Sequence, residues 1–174
     1  MTMRPGVAVL VSEELQRLSA VADLQQVGTL AEERFDRITR LARSVFGVPI
    51  AMINIVDEHQ TYTKSPQMPG LPAYRPRERL FCDVTIESSD LLVVRDATED
   101  PRFSTLELVT GAEGMRFYAG RPLVVGGGHR VGPLCIIDTK PRHFDDEERA
   151  LLEQMALLVE EEFLRTSTAG APFE

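Results

Sequence analysis

Residues Arg116–Asp138 read RFYAGRPLVVGGGHRVGPLCIID: two apolar runs joined by a glycine-rich turn. That pattern predicts a β-hairpin. The glycines do not suggest a phosphate loop, because such loops open directly into a helix and here a second strand follows. In the first run Phe117 and Ala119 share one face, and Arg116 and Tyr118 the other. A strand with apolar side chains on both faces needs cover on both sides.

Working outward, Pro49–Ser65 (PIAMINIVDEHQTYTKS) reads as a second hairpin turning at DEHQ. Ile50, Met52, Asn54 and Val56 alternate with Ala51, Ile53 and Ile55, so this too is a central strand. Two helices are expected before it. The first spans about Glu13 to Gln26, with Leu15, Leu18, Val21 and Ala22 at helical spacing. The second follows a Thr29/Glu32 capping box and carries Phe35, Ile38, Leu41, Ala42, Val45 and Phe46 in one stripe; Gly47 and Pro49 stop it. From Pro66 to Arg79 the richness in Pro, Gly and Arg forbids a regular helix or inner strand. LLVVRDA predicts another strand, and Ser104–Val109 a short helix. An Asp145/Glu148 capping box opens a last helix of about 20 residues. Its apolar side is read as Leu151, Leu152, Met155, Leu158, Val159 and Phe163, while Leu157 and Leu164 lie off that stripe and fit a dimer seam. The order helix, helix, strands, irregular loop, strands, helix predicts an α+β fold, with terminal helices on one face of a mostly antiparallel sheet. The expected organisation is a helical extension over 1–28, a domain over 29–165 and a disordered tail over 166–174.

Charge narrows the partners. The 174 residues carry 19 Lys and Arg against 27 Asp and Glu, a net charge of −8. Nucleic acid and anionic membrane surfaces are disfavoured, and no basic run offsets the average. The two cysteines, Cys82 and Cys135, form no CxxC and read as free thiols of a reducing cytoplasm. The apolar run Val7–Val11 is too short for a signal peptide or a membrane span, so the expected location is cytoplasmic.

Six pieces in order resemble a GAF domain, in particular those that precede bacterial cyclase and kinase output domains. They are FDRITRLARSVFGVPIAMINIVDEHQTYTKS, LFCDVTI, LLVVRDATEDPRF, GMRFYAGRPLVV, GHRVGPLCIID and FDDEERALLEQMALLV, together covering about Leu30 to Phe163. The resemblance implies a central antiparallel sheet of about six strands. Terminal helices pack on one face, and loops with short helices roof a small-molecule pocket on the other. It also implies a regulatory sensor that dimerises through its terminal helices. Only eleven residues follow Phe163, too few for a kinase or cyclase, so the protein is expected either to act alone or to report to a separate output protein. Some GAF relatives anchor a tetrapyrrole through cysteine and one branch reduces free methionine sulfoxide, but the residues those branches need around their cysteines are not recognisable here. No cofactor is assigned.

The candidate ligand-binding residues are Asn54, Tyr62, Phe81, Cys82, Phe103, Arg116 and Tyr118. Asn54 interrupts an apolar strand face, and a buried amide needs a loop carbonyl or a ligand as partner. Cys82 is a wall residue or, in the sharper reading, a nucleophile near Arg77 and Arg79. Arg116 pairs with Asp96 or Asp100, or binds a carboxylate or phosphate. Tyr118 combines an apolar body with a hydroxyl, as pocket walls do. Cys135 reads as strand packing. His59, His129 and His143 lack metal-ligand spacing, and the aspartates of DATEDPRF read as turn residues. No catalytic set emerges. The expected function is a non-enzymatic sensory module that binds a small molecule and signals through its terminal helices as a homodimer. The alternatives are a thiol-dependent enzyme using Cys82, or a ligand-free interaction and dimerisation module.

Overall fold

The computed structural model describes residues 5–67, 72–77 and 80–169, with side chains over 9–67, 72–77 and 80–165. The helices are α1 (Pro5–Leu24), α2 (Glu33–Phe46), α3 (Phe81–Glu87), α4 (Glu107–Thr110) and α5 (Asp146–Ala169). The strands are β1 (Ile50–Val56), β2 (Gln60–Ser65), β3 (Tyr74–Pro76), β4 (Leu92–Val94), β5 (Phe117–Val125) and β6 (His129–Asp138). They form one antiparallel sheet in the order β3-β2-β1-β6-β5-β4. Both predicted hairpins are present, β1–β2 and β5–β6. The central position of β1 and β6 accounts for their apolar character on both faces.

One face is covered by α1, α2 and α5. Phe35 and Ile38 of α2, Leu152, Val159 and Phe163 of α5, and Val21 and Leu24 of α1 are buried against Ile53, Phe117, Leu134 and Ile136. Each such side chain contributes about 1.5–3 kcal/mol by leaving water. The stripe on α5 is narrower than its sequence suggests. Leu151 and Leu158 are exposed, as are Leu157 and Leu164. That helix continues through Ala169, past the expected boundary at 165, and residues 170–174 lie outside those described.

Local chemistry explains the helix ends. Asp145 and Glu148 close the expected capping box at the start of α5, with reciprocal bonds of 3.0 and 2.9 Å. Gly47 ends α2 in the left-handed region (φ 59°), and Arg142 donates to the last carbonyls of that helix at Phe46 and Gly47. The expected Thr29/Glu32 box does not form. Glu32 itself is the N-cap residue, and both side chains turn instead to the ammonium of Lys64, each at 2.6 Å. Lys64 reaches them because β2 carries it as an extra residue at a bulge between the Asn54–Thr63 and Ile53–Ser65 pairs. Fully buried, its charge also meets the Leu30 carbonyl at 2.9 Å and lies over the Phe35 ring.

The first helix is more than an appendage. Its Arg17 donates to the Val56 carbonyl at the end of β1 (2.6 Å) and pairs with Glu14 (2.7 Å). The segment after Pro66 does hold a strand, β3, but a three-residue one at the sheet edge, where proline is tolerated.

Candidate functional site

The opposite face of the sheet is roofed by α3, α4 and the turns between them. The roof is anchored by a stack of rings. Phe81 lies between Phe103 (centroids 4.1 Å apart) and Tyr118 (4.9 Å), both nearly parallel to it. Tyr118 can lie flat along its strand because Gly120, two residues on, has no side chain; a Cβ there would overlap the phenol. The Tyr118 hydroxyl meets Thr85 Oγ1 at 2.8 Å, and Thr85 donates in turn to the Phe81 carbonyl (2.7 Å). Floor strand β5 and roof helix α3 are thus joined by stacking and by a short hydrogen-bond chain.

Beside the stack is a cavity of about 50 Å³. Its walls include Asn54, Thr61, Arg75, Cys82, Tyr118 and Cys135, with Met52 and Met115 among the apolar contributors. A neighbouring void of about 20 Å³ shares Met52, Thr63 and Arg75. The polar groups here are incompletely used. The Asn54 side-chain nitrogen donates to Cys82 Sγ (3.4 Å) and, more weakly, to Cys135 Sγ (3.8 Å). Asn54 Oδ1 and Thr61 Oγ1 are buried without a hydrogen-bond partner. Thr61 sits opposite Arg75 in the β2–β3 register, so both face the cavity side. Arg75 has no hydrogen-bond or ion-pair partner among the described residues.

The two thiols differ. Cys82 is held below the usual thiol value by hydrogen bonds to its sulfur from Cys135, and also from Asn54 and Tyr118, against the opposing effect of burial. Cys135 is pushed well above it by its bond to Cys82 and by burial. The Tyr118 phenol is raised well above its ordinary value, first by burial.

Four of the seven candidate residues line this cavity: Asn54, Phe81, Cys82 and Tyr118. Phe103 stands behind Phe81, fully buried. The other two lie elsewhere. Tyr62 points to the helix face, where it packs on Tyr74 and donates to the Thr29 carbonyl, because the pocket face of β2 belongs to Thr61 and Thr63. Arg116 binds neither Asp96 nor Asp100; it donates to the carbonyls of Val109 and Met115, 3.0 Å each, closing the loop before β5. Asp96 and Asp100 accept from the backbone two residues on, as turn residues do. Sequence reading missed Thr61, Arg75 and Cys135. For Thr61 a signal existed, its two-residue spacing from Thr63 across from Asn54.

A broader depression, about 590 Å³, lies between the first half of α1, the end of α3 and the β5–β6 turn. Its arginines are already committed. Arg77 bonds Glu14 (2.7 Å) and Asp83 (2.6 Å), and Arg130 bonds the Ile86 carbonyl (2.6 Å). The smaller cavity, with its unused polar atoms, is the better candidate for recognition. Among the described residues, no His, Cys, Asp and Glu cluster is placed to hold a metal, and no helix is long and apolar enough to cross a membrane.

Residues 31–163 match the family model for the GAF domain, and the chain belongs to that family. It is 38% identical over 146 residues to a cyclic di-GMP phosphodiesterase of Pseudomonas aeruginosa, covering 81% of this chain but only 24% of that protein. Among solved structures it resembles the free methionine-R-sulfoxide reductase of Neisseria meningitidis (TM-score 0.64, 19% identity, 97% of this chain and 96% of that one). It also resembles a domain of a putative two-component sensor histidine kinase from Sinorhizobium meliloti (TM-score 0.60, 16% identity, 79% and 94%). At those identities the structures establish the fold alone. The family, with such relatives, supports a sensory or regulatory module.

Proposed function

We propose that this chain is a non-catalytic sensory module whose roofed cavity binds a small molecule bearing an anionic group, and which signals as a homodimer through its terminal helices. The observation that carries this reading is the set of unused polar atoms around one cavity: Asn54 Oδ1, Thr61 Oγ1 and the guanidinium of Arg75. Buried polar atoms without partners are costly, and a ligand that supplies the partners removes the cost. An arginine lacking a protein carboxylate suits a ligand carboxylate or phosphate.

A cavity of about 50 Å³ is small beside ligand sites of about 300–1,000 Å³. Binding therefore selects a state with α3 and its flanking segment lifted. The lift has a route to α1, since Arg77 holds Asp83 of α3 and Glu14 of α1 together. A coupling of about 1–3 kcal/mol would be ordinary for such a device. The exposed Leu157, Leu158 and Leu164 of α5 supply an apolar surface for a second copy. The Pseudomonas relative, a cyclic di-GMP phosphodiesterase, favours an output in cyclic di-GMP turnover.

The test is thermal shift and calorimetry with panels of small carboxylates, phosphate esters and, as a control, amines. A ligand at 100 times its Kd should add about 2.7 kcal/mol of stability. Arg75→Met should abolish that gain and leave the unliganded melting temperature unchanged. Silence across the anionic panels would reject the reading. It would favour the second one, a ligand-free interaction module, for which the smallness of the cavity speaks.

A further inference from the structure

Cys82 and Cys135 come from distant parts of the chain, yet they face each other across the cavity, one on roof helix α3 and the other on floor strand β6. The same Asn54 amide points at both sulfurs, at 3.4 and 3.8 Å. Neither thiol is in a disulfide, and Cys82 is the less buried of the two. We propose that these thiols are a peroxide-oxidisable pair, closing to a disulfide that ties the roof to the sheet.

The division of labour follows from the surroundings. Cys82 is the nucleophile. Asn54 donates to its sulfur, and hydrogen bonds hold its ionisation below the usual thiol value, whereas Cys135 is held in its protonated form. A void of about 50 Å³ admits a molecule little larger than water, as hydrogen peroxide is. In the first step the Cys82 thiolate attacks one peroxide oxygen. The S–O bond forms, the O–O bond breaks, and the departing hydroxide takes a proton to leave as water. Cys82 is now a sulfenic acid. In the second step the Cys135 sulfur attacks Cys82 Sγ. The S–S bond forms, the S–O bond breaks, and the hydroxyl leaves with the Cys135 proton as water. Two thiols and one hydrogen peroxide give one disulfide and two waters. The product fastens α3 to β6 and holds the cavity shut, whatever ligand the cavity takes, so this inference does not depend on the ligand reading.

The experiment uses the full reduced chain, exposed to increasing hydrogen peroxide, quenched and alkylated with iodoacetamide in denaturant. The expected result is a monomer lighter by two hydrogens that takes up no alkyl group, with a non-reducing peptide map joining the Cys82 and Cys135 peptides. In Cys135→Ser, Cys82 should stop at a sulfenic acid that dimedone traps. In Cys82→Ser, Cys135 should remain a thiol at the same dose. The wild-type map needs no variant, so a misfolded mutant does not leave the question open. Two intact thiols at a dose that oxidises free glutathione would overturn the proposal. So would sulfinic acid at Cys82 without a cross-link, or a cross-link only between chains.

Discussion

The two faces of the sheet solve the same burial problem differently. The helix face is thick and, Gln26 Oε1 apart, satisfied. Its fully buried cation, Lys64, has three oxygen partners and an aromatic ring, and its apolar contacts come from three long helices. The roof face is thin. It is held by one ring stack and short helices, and it contains Asn54 Oδ1, Thr61 Oγ1 and Asp83 Oδ2, buried without partners. A face built for stability leaves few polar atoms idle, since each idle one costs about 1–3 kcal/mol. A face meant to open and receive something tolerates that cost and draws on the surplus of the other.

The sharpest way to break this contrast is to cut into the helix face. Phe35 is fully buried and packs on Phe163 with ring centroids 5.3 Å apart. Phe35→Ala should lose about 3–5 kcal/mol in urea denaturation, the usual outcome for a large aromatic in a rigid core. A loss below about 1 kcal/mol would mean that this face can collapse around the gap and is not the rigid half.

A smaller effect, of unusual sign, is expected on the roof side. Thr61→Val keeps the shape and removes a hydroxyl that has no partner. A hydrogen-bonded buried threonine would lose about 1–2 kcal/mol on this change; here the denaturation midpoint should hold or rise. The same variant should weaken whatever anionic ligand the calorimetric screen finds. A clear fall in unliganded stability would show that Thr61 is a structural residue and that the two faces are alike.

The contrast also marks what was readable in the chain. The helix face was legible because helical periodicity and strand alternation are local signals: Phe35, Ile38 and Phe163 declare themselves by spacing, and Asp145 and Glu148 by a four-residue motif. Reading failed where a distant residue changes the local rule. Thr29 and Glu32 would cap a helix had a bulge not delivered Lys64 to them. Tyr62 has the chemistry of a pocket wall, but alternation from Thr61 and Thr63 turns it to the other face. Leu151 and Leu158 continue an apolar stripe, yet α5 turns Leu152, Met155, Val159 and Phe163 inward and leaves those two exposed. The thiol pair was invisible for the same reason. Nothing near Cys82 announces that β6 will bring Cys135 across from it.

The weakest expected effect concerns the clasp between the faces. Glu14 of α1 accepts from Arg17 and Arg77, and Arg77 also holds Asp83 of α3. Hydrogen bonds from Arg17 first, then Arg77, outweigh burial and lower the Glu14 carboxyl to about 2, from 4.5 when unpaired. A carboxyl lowered on folding adds stability that is complete above its unfolded value and disappears as pH falls through its folded one. The stability difference between wild type and Glu14→Gln should therefore be full above about pH 4.5, shrink between there and about pH 2, and vanish below. Because the side chain is 39% exposed, solvent screening limits that difference to about 1 kcal/mol or less. The informative measurement pairs urea denaturation across this range with amide exchange in α3. If the clasp joins the faces, breaking it should speed exchange at α3 much more than it lowers global stability, because the roof opens on its own before the helix face does. Equal changes in both would mean that the roof unfolds only with the rest of the chain, and that Arg77 transmits nothing from the cavity to α1.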